Sequence, residues 1–143
     1  MKFESKQDYY VPTDFFIPTQ TNPTEKIRST KGDCVIRAFS IAAGMDWLEA
    51  FDILTDNARK TYNVPNDVTN YTQVFKAMGY ECVICKATSG KKRMTAEQFC
   101  KTHKSGRYIL RLANHLCAVV DGKVRDTWNT ANKCIYKYWV IND

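Results

Sequence analysis

Three residues of this chain can together run nucleophilic thiol chemistry: Cys34, which opens an apolar segment, His115, inside an apolar strand-like run, and Asp126, a carboxylate placed to meet it. Such chemistry needs a thiolate, a base to hold its proton and a third group to orient the base. Cys34 follows Lys31-Gly32-Asp33 and begins the run CVIRAFSIAAG, whose only polar members are Arg37 and Ser40. At a helix start the unpaired N–H groups and the macrodipole favour negative charge, which lowers a thiol pKa from its free value of about 8.5. Asp33 is a good N-cap residue, and its carboxylate opposes a thiolate at Cys34 unless it turns into the helix N–H groups.

The chain holds two histidines, so the base is His103 or His115. His103 sits between Lys101 and Lys104 and has the marks of a solvent-facing residue at a helix C-terminus, where the dipole favours a cation. His115 lies in NHLCAVV, where an ionisable ring is costly without a partner. Asp121-Gly122 reads as a two-residue type I′ turn. Counting outward, Val120 then pairs with Lys123, Cys117 with Asp126 and His115 with Trp128. Side chains alternate across a strand, so His115, Cys117, Asp126 and Trp128 share one face, with Asp126 diagonal to His115 and Asn129 on the other face.

The elements that must hold these residues follow from periodicity and punctuation. Residues 34–44 suit a buried helix ending at Gly44. A second helix follows Asp46, with Asp46 and Glu49 at capping-box spacing and Trp47, Ala50, Phe51 and Leu54 at helical spacing. A third is expected over residues 70–78, and Thr95 with Gln98 makes a capping box for a short helix ending near His103. Residues 80–87, 107–112, 114–120, 123–130 and 134–141 read as strands, giving an α+β domain. Residues 1–28 hold three of the four prolines and read as an extended arm without regular helix, pinned by Tyr9, Tyr10, Val11, Phe15, Phe16 and Ile17, with one domain over residues 29–143.

Composition narrows the function classes. With 143 residues and 44% hydrophobic content the chain can bury one core, and 13% aromatic content argues against disorder. The net charge of +6 is scattered, its only tight run being Lys91-Lys92-Arg93 beside Ser89-Gly90, so nucleic acid is not the expected partner. No stretch suits a membrane span or a signal peptide, and a cytoplasmic location is expected. The six cysteines are then expected as reduced thiols. Cys82-x-x-Cys85 and Cys100-x-x-His103 have the spacing of a structural zinc site. A strand over Cys82 and Cys85 points them to opposite faces, however, so no metal ligand and no cofactor is assigned.

Gly32-Asp33-Cys34 opening an apolar helix, His115 with Ala118-Val119-Val120-Asp121-Gly122 after it, and Asp126-Thr127-Trp128 resemble the papain-like cysteine peptidase superfamily, chiefly its compact bacterial and phage-type members. The resemblance spans residues 29–141 and keeps the order Cys, His, Asp. It implies N-terminal helices, with the nucleophile at a helix start, packed on a C-terminal antiparallel sheet. It further implies Cys34 as nucleophile, His115 as general base then acid, Asp126 as orienting residue, and a protein or peptide substrate. Papain-like enzymes place a glutamine about six residues before the nucleophile to complete the oxyanion hole; Arg28 stands there, followed by Ser29 and Thr30. The backbone N–H of Cys34 supplies one donor and the second has no owner, a loss that typically costs ~100- to 1000-fold in rate. Other readings of the same residues are a non-catalytic binding protein of this fold, a zinc-stabilised interaction module, or acyl transfer to an amine.

Overall fold

The computed structural model describes residues 6–27 and 32–142. The apolar run at Cys34 forms helix α1 (Cys34–Ala43), which buries Val35, Ile36, Ala38, Phe39 and Ala42. Gly44 ends it at φ 68, a left-handed conformation that glycine adopts without strain. Helix α2 (Trp47–Thr61) has Asp46 at its N-cap, but the side chain makes no cap bond, so the expected capping box with Glu49 is not formed. Both side chains are exposed, where water satisfies them at little cost. Helix α3 (Val68–Ala77) starts at Val68 rather than Asn70, because the Asp67 carboxylate accepts the Thr69 N–H at 3.0 Å. Helix α4 (Ala96–Thr102) carries the complete Thr95–Gln98 capping box.

Six strands form one sheet: β1 (Phe16–Pro18), β2 (Glu81–Ile84), β3 (Arg107–Leu112), β4 (His115–Val120), β5 (Lys123–Asp126) and β6 (Lys137–Val140), in the order β1-β5-β4-β3-β6-β2. The molecule is therefore α+β, but the sheet is mixed: β1 runs parallel to β5, while the other pairs are antiparallel. That parallel edge comes from the N-terminal arm, which also holds a short 3-10 helix (Lys6–Tyr10) and so is not simply extended. Phe16, fully buried, supplies the reason: its ring is worth roughly 2 kcal/mol in the core and brings its backbone beside β5.

Three strands are shorter than their composition suggests, β2 ending at Ile84 instead of residue 87. β5 stops at Asp126 instead of Thr130 because side chains take over from the ladder: Asp126 Oδ1 accepts the Thr127 N–H (2.8 Å) and Asn129 Oδ1 the Ala131 N–H (2.9 Å). β6 begins at Lys137 instead of Cys134, since the Ile135 N–H is drawn to the Met94 carbonyl (2.8 Å).

Alternation along β3 and β4 divides the core. Ile109, Leu116 and Ala118 face α1 to α3, joining Phe39, Leu54, Phe75 and Trp139. Leu110, Leu112, Cys117 and Val119 face the other side, with Phe16, Phe99 and Ile135. The sheet is thus covered on both faces around its central strands, and the start of α1 lies against β4. Among the described residues no helix is long and apolar enough to cross a membrane.

Candidate active site

The β4–β5 hairpin has the expected turn. Val120 pairs with Lys123, and Asp121 and Gly122 take φ 49 and 77, the positive pair that a type I′ turn requires. The ladder continues to Ala118 opposite Arg125, so one further step sets Cys117 against Asp126. His115 Nε2 then lies 2.6 Å from Asp126 Oδ2, with the Trp128 ring centroid 5.8 Å from the imidazole. Asn129, fully buried, accepts the Ala131 N–H with its side-chain oxygen.

Asp126 is 1% exposed and its carboxylate is saturated. Oδ2 also accepts the Thr130 hydroxyl at 3.1 Å; Oδ1 accepts Arg37 Nη2 at 3.0 Å and the Thr127 N–H. Arg37, one turn along α1 from Cys34, donates its other terminal nitrogen to Asp33. Asp33 in turn accepts Trp47 Nε1 at 3.0 Å and makes no side-chain cap bond. The Asp33 carboxylate therefore turns neither to the helix N–H groups nor freely towards the sulfur: Arg37 neutralises it. Asp33, Arg37, Asp126 and a protonated His115 form a buried chain of alternating sign, the condition under which burying such charges is tolerable.

Cys34, half-buried, stands close enough to His115 and to the backbone N–H of Leu116 on β4 for both to act on its thiol. With Nε2 held by Asp126, Nδ1 is the ring nitrogen left for the sulfur. Burial pushes the Cys34 thiol up, but the His115 and Leu116 hydrogen bonds and the charges of His115 and Arg37 outweigh it, leaving the thiol below its ordinary value. For His115, burial alone favours the neutral ring; the hydrogen bonds and charges of Asp126 and Cys34 overcome it and carry the pKa up to about 9. Both directions favour a thiolate–imidazolium pair near neutral pH. Cys100 and Cys117 go the other way: burial in apolar surroundings raises Cys100 to about 12 and Cys117 well above the usual thiol range.

Hollows open on both sides of His115. One, of about 260 Å³, is lined by Cys34, Tyr71 and Arg111 with Asn66 and Asp67. The other, of about 290 Å³, is lined by Leu112, Trp128, Lys133, Cys134 and Tyr136.

The structure thus brings Cys34, His115 and Asp126 together. Arg37, Trp47 and Thr130 were not among the sequence candidates, although Arg37 carries a signal: it is the one charge in an apolar helix and stands four residues after Asp33. His103 is not solvent-facing as expected; its ring stacks on Phe99 at 3.8 Å and meets Tyr108 and Tyr138 edge-on, because an aromatic cluster shelters this end of α4. Cys82 is exposed on β2 while Cys100 is buried in the core, and among the described residues no three His, Cys, Asp or Glu side chains converge as metal ligands. The position of the missing glutamine, Arg28 with Ser29 and Thr30, lies outside the described residues. No family model matches the chain, and no curated protein or solved structure shows detectable similarity to it.

Proposed function

We propose that this chain is a cysteine hydrolase of papain-like type, cleaving a peptide, isopeptide or related amide bond through an acyl-thioester on Cys34. The single observation that carries this reading is the His115–Asp126 hydrogen bond at 2.6 Å, with the imidazole so fixed lining the same hollow as Cys34 and lowering its thiol pKa. Two features of the surroundings support it: the sulfur sits at the start of α1, and a hollow lies on each side of His115.

In the proposed cycle the Cys34 proton rests on His115, and the thiolate attacks the carbonyl carbon, pushing its π electrons onto oxygen. The backbone N–H of Cys34 is one donor for that oxyanion. Collapse re-forms the carbonyl and breaks the C–N bond, while His115 hands its proton to the departing nitrogen. His115 then takes a proton from water, whose oxygen attacks the thioester; the acid leaves and the proton returns to sulfur. Asp126 holds the ring in the orientation that serves both transfers, and Arg37 holds Asp126.

Reaction with p-nitrophenyl acetate tests this reading. A burst of nitrophenol is expected, one acetyl group per chain on Cys34, followed by slower turnover, and both vanish in Cys34→Ala. Acetylation spread over the other cysteines, or an undiminished burst in Cys34→Ala, contradicts it.

A further inference from the structure

We propose that the cleft selects substrates bearing a carboxylate beside the scissile bond, and that Arg111 is the residue that receives it. The inference rests on Cys34 being the nucleophile. Arg111 lies on β3 and lines the same hollow as Cys34 and His115, with Tyr71 beside it and the neutral side chains of Asn66 and Asn114 near its rim.

Its guanidinium has no hydrogen-bond or ion-pair partner among the described residues, although the residue is half-buried. The other ionisable residues lining the hollow are Cys34, His115 and Asp67. Cys34 and His115 compensate each other, and Asp67 is exposed, caps α3 through the Thr69 N–H and is not ion-paired with Arg111.

The sheet gives no structural reason for a cation here. Directly across from Arg111 on β6 stands Lys137, a like-charged cross-strand pair that costs stability instead of adding it. A planar fork of donors with no internal acceptor, opening into the hollow of the nucleophile, matches a carboxylate, which it can bind with two parallel hydrogen bonds. Lys133, lining the hollow on the far side of His115, adds a second positive charge to the cleft. Acidic peptides, or amides of an acid with a free carboxylate, are the substrates this chemistry recognises.

Iodoacetate and iodoacetamide differ only in carboxylate against carboxamide, so their alkylation rates at Cys34, read by peptide mass mapping, supply the test. In the unaltered protein the iodoacetate-to-iodoacetamide ratio at Cys34 is expected to exceed that at exposed Cys82 by roughly tenfold, the worth of one charge-assisted pair. Arg111→Gln is expected to bring the ratio down to the Cys82 value, and Arg111→Lys, which keeps the charge but not the fork, to retain only part of the preference. A Cys34 ratio no higher than that of Cys82, or one that R111Q leaves in place, overturns the proposal; the first comparison decides even if R111Q does not fold. Failure of iodoacetamide itself to prefer Cys34 over the other cysteines overturns the hydrolase reading instead.

Discussion

Replacing Asp126 by asparagine keeps the size of the side chain and removes its charge, at a site where four donors converge on one carboxylate. The His115 pKa of about 9, against an ordinary 6.5, corresponds to roughly 3 kcal/mol of preference for the protonated ring at ~1.36 kcal/mol per tenfold. Asp126 supplies much of that preference, by hydrogen bond and by charge, against a burial penalty that the mutation leaves in place. The ring in Asp126→Asn is therefore expected to titrate well below 9, with Cys34 still favouring its protonated form. Because the folded pKa of His115 is raised, its contribution to stability is complete below about 6.5 and is lost as pH rises through about 9; the variant should show a weaker dependence. Imidazole Cε1–H NMR titration reads this directly, and with two histidines in the chain His103 serves as the internal reference. Hydrolysis should fall by as much as ~10⁴, the loss seen when a triad imidazole is left without its orienting carboxylate. A His115 midpoint still near 9 in the variant would refute the electrostatic account.

Arg37→Met strands two buried carboxylates at once, and urea denaturation should show a loss of about 3–5 kcal/mol; a loss under about 1 kcal/mol would mean that Arg37 does not hold Asp33 and Asp126 in solution. Gly122→Ala puts a Cβ at φ 77, 3.3 Å from the Lys104 Cα, so a cost of about 1–2 kcal/mol is expected from the same measurement, with Cys34 labelling slowed where the β4–β5 register loosens. Thr95→Ala removes the capping box of α4 and should cost about 1 kcal/mol while leaving the Cys34 alkylation rate as it was, since α4 packs into the core cluster on the other face of the sheet from Cys34.

Local rules carried the parts of this fold that depend on a few neighbouring residues. The type I′ turn at Asp121-Gly122 needs only two residues able to take positive φ, and it alone aligned Asp126 with His115. Helix α1 was legible from an unbroken apolar run closed by Gly44. What stayed hidden depends on partners distant in sequence. Arg37 takes no role from the sequence alone because one of its carboxylates is 89 residues away, and β1 is not foreseen because a parallel pairing leaves no turn in the sequence to announce it. The ends of β5 and β6 are hidden for another reason: β-favouring residues persist past Asp126, but the Asp126 and Asn129 side chains capture the backbone donors there, and the Met94 carbonyl takes the Ile135 N–H ahead of β6. His103 was read from its lysine neighbours, whereas its surroundings are set by Phe99, Tyr108 and Tyr138 from three different elements.

The central claim is that Cys34 is held as a thiolate by His115, and competitive alkylation at pH 7 with limiting iodoacetamide measures it most directly. A free thiol near pKa 8.5 is only a few per cent ionised at that pH, so a paired Cys34 is expected to react roughly tenfold faster than the other five cysteines, and to lose that advantage in His115→Ala. Equal labelling of all six cysteines, or a Cys34 rate that His115→Ala leaves unchanged, would contradict the thiolate–imidazolium pair and the hydrolase reading built on it.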